Sequence, residues 1–152
     1  MIPGEIDSIK LDEYETHDIK DNNHVNGSLM LIWRDWDKII PYEPKMIYLT
    51  DVKSGEIKGP HLHKKRTTYF VCIKGKVVFI IKNIDGTFKE IESGEDNPVL
   101  VQIPPNFASA HVNLSDKTSS VLVLADVAWR PNDDEMINLT FDNYDWKKWE
   151  TL

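Results

Sequence analysis

Residues 67–81 read TTYFVCIKGKVVFII and carry the clearest signal for the fold. The stretch holds two short apolar runs, residues 67–73 and 77–81, which Gly75 separates. Both runs are rich in the β-branched and aromatic residues that favour strands. A hairpin turn follows at Asp85-Gly86, because glycine tolerates the positive φ angle that such turns demand. The stretch therefore predicts consecutive short strands.

Similar β-type runs lie on both sides of this stretch, at residues 29–33, 46–50, 99–103, 107–114 and 120–127. About eight strands at close spacing, with few helical windows, predict an all-β antiparallel sandwich or barrel. We expect a helix only near residues 133–139 and in the last ten residues.

No internal repeat or low-complexity linker interrupts the chain. This predicts one domain over residues 1–152, with a barrel at about 28–127 and an extension at 128–152. The segment from Asp142 to Trp149 is rich in aromatic residues. We therefore expect this tail to dock on the barrel or on a second subunit.

The composition is typical of a globular protein with a packed core. Hydrophobic residues make up 41% of the 152 positions, and Trp, Tyr and Phe occur five times each. A chain of this length is long enough for one self-sufficient core. No run of about 18 apolar residues is present, so no helix is expected to span a bilayer. Residues 1–5 lack the features of a secretory signal.

Charge and cysteine content exclude several partners. The formal net charge of −7 makes the chain a poor electrostatic partner for nucleic acid or an anionic membrane, so we expect neither. The single cysteine, Cys72, lies within an apolar run, which predicts a buried and inert thiol. A reducing cytoplasm is the expected compartment.

Residues 58–66 form a basic cluster on this acidic background. Lys58 precedes His61 and His63, and residues 64–66 are Lys-Lys-Arg. Such a run is either a solvated basic turn or a site for an anionic small molecule. The remaining histidines, His17 and His24, lie in polar sequence and are expected at the surface.

Alternation along strands groups the polar residues that could line a cavity. Because residues i and i+2 share one face of a strand, His61 and His63 point the same way. By the same rule one face of the run at residues 107–114 carries Phe107, Ser109, His111 and Asn113. The other face carries Ala108, Ala110, Val112 and Leu114, which suits contact with another sheet. Unpaired buried polar groups are costly, so three inward imidazoles and an amide favour a ligand cavity.

Four motifs in order resemble those of cupin enzymes that act on nucleotide-linked keto-sugars. They are KGPHLHKK at residues 58–65, IKGKV at 73–77, GEDNP at 94–98 and IPP at 103–105. The chain resembles the short branch of the dTDP-4-dehydrorhamnose 3,5-epimerase family from about Gly27 to Trp149. The resemblance implies an all-β cupin (jelly-roll) antiparallel barrel with a short C-terminal helical or aromatic tail. It also implies a cytoplasmic, cofactor-independent homodimeric isomerase of deoxysugar and polysaccharide biosynthesis.

The same resemblance implies roles for individual residues. In the epimerases a histidine after an Arg-Gly-x stretch removes the proton next to the keto group of a dTDP-4-keto-6-deoxyhexose. His61 follows Lys58-Gly59-Pro60 and inherits this role, with Asp142 as its partner. Residues 119–126 lack the family's tyrosine proton donor, for which Tyr48 or Tyr69 is the replacement candidate, with Tyr48 counted among the catalytic residues. The predicted substrate-binding residues are Lys58, Arg66, Thr68, Ser109, His111, Asn113 and Arg34.

The sugar 3,4-ketoisomerases are a second resemblance. Residues 59–64, GPHLHK, match the Gly-x-His-x-His-Lys stretch in which two histidines move a proton between neighbouring carbons. This makes His63 a catalytic candidate beside His61, and unperturbed imidazoles suit proton transfer at neutral pH.

Metal-bearing cupins place a glutamate after the His-x-His pair and a histidine on a later strand. Thr67 or Thr68 and Ser109 stand at these positions here, and all are poor ligands, so no metal is expected. A non-catalytic sugar-binding cupin and a metal-dependent cupin of another reaction class remain alternatives.

Overall fold

The computed structural model describes residues 1–37, 40–41 and 43–150. The predicted strand at residues 29–33 is followed by the polar stretch Arg34-Asp35-Trp36-Asp37-Lys38, whose last residue lies outside the described residues. The described part contains twelve strands and a single-turn 3₁₀ helix at Trp146–Trp149. The strands are β1 (Asp7–Lys10), β2 (Glu13–His17), β3 (Val25–Met30), β4 (Met46–Val52), β5 (Ile57–His63), β6 (Thr68–Lys74), β7 (Lys76–Lys82), β8 (Phe88–Gly94), β9 (Val99–Ile103), β10 (Ser109–Asn113), β11 (Ser119–Ala125) and β12 (Met136–Asn138).

The strands form two five-stranded antiparallel sheets and a separate β2–β3 hairpin. Sheet I has the order β1-β9-β6-β11-β4, and sheet II has the order β12-β5-β10-β7-β8. The all-β antiparallel prediction is therefore confirmed. Both sheets also include a strand outside the predicted barrel at residues 28–127, namely β1 and β12.

The central core lies between the two sheets. On β7, Val77, Phe79 and Ile81 pack inward against residues of sheet I such as Val121 and Val123. The alternate β7 residues, 78 and 80, are also fully buried, against the C-terminal tail. Because β7 is covered on both faces, it reads as a continuous apolar run instead of an alternating one.

The C-terminal tail covers the outer face of sheet II. Phe141 is buried, and Trp146 and Trp149 pack with it against the small side chains of Ala108 and Ala110. The expected docking on the barrel is confirmed. The expectation that this small-residue face contacts another sheet is wrong, because the aromatic tail occupies it.

Two expectations about single residues are confirmed. Cys72 is buried and free, and burial raises the pKa of its thiol to about 11. His17 and His24 are exposed.

The predicted helix at residues 133–139 is wrong. This segment contains β12, whose Met136 and Asn138 pair with His63 and His61 of β5. Backbone hydrogen bonding along the free edge of β5 outweighs local preference here. In the described ranges, no helix is long and apolar enough to cross a membrane.

Candidate active site

β5 brings both predicted catalytic histidines to one cavity between the sheets, of about 240 Å³. On the side of sheet II the cavity is lined by Lys58, His61, His63, Ser109 and His111. Tyr48, Thr50, Arg66 and Phe70 line it from the side of sheet I, and Met136 of β12 completes it. Seven of the predicted site residues therefore lie together.

Gly59 allows the backbone of β5 to approach β10 closely ahead of the histidines. Its φ is +87°, and a Cβ atom there would lie 2.8 Å from the carbonyl oxygen of Ser109. The pairing of β10 with β5 shifts register between Ser109 and His111. Only glycine meets both demands without strain, which fits the Gly-x-His-x-His pattern of the sequence.

β12 and the residue before it hold both imidazole rings from the same side. Nδ1 of His61 lies 2.7 Å from Oδ1 of Asn138, and Nδ1 of His63 lies 2.7 Å from Oε2 of Glu135. With these oxygens as acceptors, each Nδ1 carries the proton. Nε2 of each ring then keeps its lone pair for a ligand.

Glu135 is a buried carboxylate whose side chain is only 3% exposed. Besides the His63 ring it accepts the backbone N–H groups of Lys65 at 3.2 Å and Arg66 at 2.9 Å. Burial raises the pKa of Glu135, but these three hydrogen bonds outweigh burial, and the pKa lies below its usual value. Glu135 is therefore ionised at neutral pH.

His63 is held neutral beside this carboxylate. Burial lowers the pKa of His63, and this outweighs the opposing hydrogen bond and charge of Glu135. At neutral pH the ring is therefore a base with its lone pair on Nε2, and Glu135 is placed to stabilise the imidazolium that forms when it accepts a proton.

The wall opposite the histidine pair carries a phenol. Burial raises the pKa of Tyr48, although the nearby Arg66 opposes this through its charge and a hydrogen bond. Tyr48 therefore keeps its proton at neutral pH and can donate it.

His111 is a third imidazole in the cavity, and it is 7% exposed. It packs beside Phe70 and Phe79, with ring centroids 6.3 and 5.5 Å away, and its Nε2 has no partner among the described residues. Burial lowers the pKa of His111 to about 4, so it is neutral at physiological pH. It cannot supply a positive charge to a ligand.

Lys58 and Arg66 supply the positive charge of the cavity. Lys58 Nζ donates to the Thr50 hydroxyl at 2.8 Å, and no ion pair of either cation is found in the described part of the chain. Over residues 1–37, 40–41 and 43–150, no three His, Cys, Asp or Glu side chains are grouped as metal ligands.

Two predicted site residues lie away from this cavity because other groups hold them. Arg34 pairs with Asp37 at 2.9 Å and stacks on Trp36 with its guanidinium carbon 4.1 Å from the ring centre. Asn113 is buried, but its amide donates to the backbone carbonyls of Val52 and Lys117.

Thr68 and Asp142 are not in the cavity lining either. Thr68 is fully buried on β6. Asp142 is exposed, four residues after Asn138. The structure therefore brings Asn138, and not Asp142, to His61, because the β5–β12 register places residue 138 opposite it.

The sequence interpretation missed Glu135 and Asn138. Glu135 follows Asp133 and Asp134, and such an acidic run is typical of a solvated surface. The usable signal was spacing: Met136 and Asn138 are two residues apart, as are His63 and His61, which fits two paired antiparallel strands.

Comparison with solved structures confirms the cupin fold. A dTDP sugar isomerase from Desulfovibrio desulfuricans G20 superposes with a TM-score of 0.80 at 17% identity, over 96% of this chain and 92% of that one. QdtA, a sugar 3,4-ketoisomerase from Thermoanaerobacterium thermosaccharolyticum solved with TDP, superposes with a TM-score of 0.67 at 23% identity. This match covers 90% of this chain and 89% of QdtA.

The capsular polysaccharide assembling protein CapF from Staphylococcus aureus is also similar, with a TM-score of 0.57 at 22% identity. The match covers 60% of this chain and 27% of CapF, so the chain spans about a quarter of that protein. No curated protein sequence matches the chain significantly.

A family model supplies the classification that these structural likenesses leave open. The model described as "FdtA: WxcM-like, C-terminal" matches residues 12–144, which include both sheets from β2 onward, the histidine pair and β12. The nucleotide-sugar cupin resemblance of the sequence is thereby confirmed, and the chain belongs to the FdtA family.

Proposed function

We propose that the protein is a nucleotide-sugar isomerase that moves the keto group of a dTDP-4-keto-6-deoxyhexose between C4 and C3. The observation that carries this proposal is the pair of imidazoles on one strand, each with Nδ1 bonded to β12 or its neighbour and Nε2 free. Two bases on one wall suit transfer of two protons on one side of a sugar.

The chemistry needs one carbon-bound and one oxygen-bound proton to move. The C3–H bond is acidified by the adjacent C4 carbonyl, and a base that removes this proton leaves an enediolate. Return of a proton to C4, with transfer of the O3 proton to O4, gives the 3-keto sugar. Atoms and charge balance without any cofactor.

The partners of the two rings assign these transfers. His63 is backed by the Glu135 carboxylate, which stabilises an imidazolium, so His63 takes the carbon-bound proton. His61 is backed by the neutral amide of Asn138, so it relays the proton between the two oxygens.

The comparisons support this choice of reaction and substrate. QdtA is described as a 3,4-ketoisomerase, and a point mutant of it, 25% identical over 90% of this chain, was solved with TDP-4-keto-6-deoxyglucose. CapF is described as assembling capsular polysaccharide. We assign this chain to the same kind of deoxysugar and polysaccharide biosynthesis.

Epimerisation of the same substrate class is a second candidate, and Tyr48 favours it. Inversion of a carbon needs a proton delivered to the face opposite the base. Tyr48 is a protonated phenol on the wall opposite His61 and His63.

The test is proton NMR of the purified protein with dTDP-4-keto-6-deoxyglucose in D₂O. A 3-keto product supports keto migration, whereas an inverted ring carbon bearing deuterium supports epimerisation. His63→Asn is expected to abolish turnover, and His17→Asn, at an exposed hairpin position, serves as the matched control. Binding of the sugar nucleotide with neither product nor deuterium uptake would contradict both reactions and leave the binding-module alternative.

A further inference from the structure

Arg66 is a buried cation with no charged partner among the described residues. It lies in the loop between β5 and β6, is 5% exposed and lines the cavity from the side of sheet I. Its Nε has no hydrogen-bond partner, and its guanidinium forms no salt bridge with any described residue. A buried charge normally needs a partner, because its desolvation costs several kcal/mol.

The one carboxylate near Arg66 is already committed. Glu135 accepts the His63 ring and the backbone N–H groups of Lys65 and Arg66 itself. The guanidinium instead lies near the Tyr48 phenol, where its charge opposes the rise in the pKa of Tyr48 that burial causes. A guanidinium offers five donors in a planar fork, so a neutral phenol leaves most of them for a ligand.

We propose that Arg66 is the catalytic residue that binds the enediolate oxygen of the sugar, opposite the two histidines. The proposal rests on the proposed function, and it holds for keto migration and for epimerisation because both pass through this anion. When His63 takes the carbon-bound proton, the electron pair of the broken C–H bond forms a carbon–carbon double bond, and the π pair of the carbonyl moves to its oxygen. The guanidinium neutralises that oxygen until a carbon is reprotonated.

The placement of charge in the cavity supports this assignment. His111 is uncharged, and Lys58 is exposed to water and engaged with Thr50. Arg66 is thus the one cation among the described lining residues that is shielded from water, where a charge–charge interaction is strongest. An enediolate oxygen held by Arg66 and facing the imidazolium that His63 becomes after taking the proton fits this arrangement.

The first experiment measures turnover of Arg66→Met, Arg66→Lys and the exposed control Arg130→Met. Loss of a donor to a developing oxyanion lowers kcat about 10²–10³-fold, so we expect this for Arg66→Met with little change in KM. Arg66→Lys should recover part of the rate, because it keeps the charge and loses the fork. Wild-type turnover with an Arg66→Met rate within threefold of it would overturn the proposal.

The second experiment separates this role from a structural one. Removing an unpaired buried charge should leave the melting temperature of Arg66→Met unchanged or higher than that of the wild type. A melting temperature lowered by more than about 8 °C, roughly 2–4 kcal/mol for a domain of this size, would show that Arg66 supports the fold instead, and would overturn the proposal.

A third experiment does not depend on the sugar. Oxalate, a planar oxyanion, is titrated into wild-type and Arg66→Met protein while the ring signals of the histidines are followed by NMR. We expect binding at least tenfold weaker in Arg66→Met. If the wild type turns over no sugar, the proposed function fails. Weaker oxalate binding in Arg66→Met would then still support an anion site at Arg66. Equal oxalate binding in both proteins would overturn the assignment of Arg66.

Discussion

Replacing Glu135 by glutamine tests whether the buried carboxylate activates His63. The side chains have nearly the same shape, so Glu135→Gln removes the charge and keeps an oxygen that can accept the backbone N–H groups of Lys65 and Arg66. The amide can also present its NH₂ group to Nδ1 of His63, which moves the ring proton to Nε2. In that tautomer Nε2 no longer has a lone pair for the sugar.

The expected loss of rate is large. Breaking the equivalent carboxylate–imidazole pair in a Ser-His-Asp triad lowers kcat about 10⁴-fold through the same wrong tautomer. The His63–Glu135 contact, at 2.7 Å with both side chains largely buried, is of that kind. We expect kcat to fall about 10³-fold, which corresponds to about 4 kcal/mol in the barrier.

The pH profile supplies a sharper criterion than the rate alone. The pKa of His63 is lowered by burial and is partly restored by Glu135, so removing the carboxylate lowers it further. Wild-type kcat/KM should therefore fall in acid as His63 becomes protonated, at a pH below its ordinary pKa. In Glu135→Gln this acid limb should move to lower pH while the plateau drops.

The assay is kcat/KM from about pH 4.5 to 8.5 on the substrate that the wild type converts, a range that spans the ordinary imidazole pKa. Glu92→Gln, at an exposed position on β8, is the control. An acid limb that moves to higher pH would refute the reasoning. So would a plateau within threefold of the wild type in a folded variant.

Three further predictions concern stability and assembly. The pKa of His111 is about 4 in the folded protein and about 6.5 in the unfolded chain. Protonation of His111 therefore lowers the free energy of unfolding as the pH falls below 6.5, by about 3 kcal/mol at pH 4. His111→Gln should flatten that part of the pH dependence in urea unfolding, and an unchanged slope would contradict it. Phe141→Ala should lower the free energy of unfolding by about 3–5 kcal/mol, because Phe141 is buried against sheet II; a loss below about 1 kcal/mol would mean that the tail is dispensable. The homodimer stays a prediction. Leu49 is 60% exposed on the edge strand β4, so Leu49→Lys should dissociate a dimer formed through this edge. The exposed control Ile84→Lys should not, and sedimentation measures the difference.

The sequence was most informative where burial dictates residue type. β9 was predicted with its observed bounds, and β6 and β7 within one or two residues, because their apolar runs lie in the two packed sheets. β1 and β2 were missed: their residues are mostly exposed, so no alternation marks them. The pairing of β1 with β9 is in addition a long-range contact that no local pattern records.

The residues of the candidate site also fall into those that the sequence predicted and those that it did not. The i, i+2 rule placed His61 and His63 on one face, and the alternation of β10 placed Ser109 and His111 in the same cavity. Asn113 lies on the same face by this alternation, but its amide donates to backbone carbonyls at the other end of β10. Alternation predicts which face a side chain is on, but not where along the strand the cavity lies.

The residues that orient the histidines could not be inferred from β5, because they arrive from β12 and the residue before it, more than 70 positions later in the chain. For the chemistry of the two rings, the residue types of these partners matter more than their separation along the chain. A carboxylate behind one ring and an amide behind the other give two identical imidazoles, two residues apart, different electrostatic surroundings. In the proposed reaction, a short edge strand therefore turns a symmetrical His-x-His motif into one base for a carbon-bound proton and one relay between oxygens. It also leaves Nε2 of both rings for the cavity, which Arg66 lines as well.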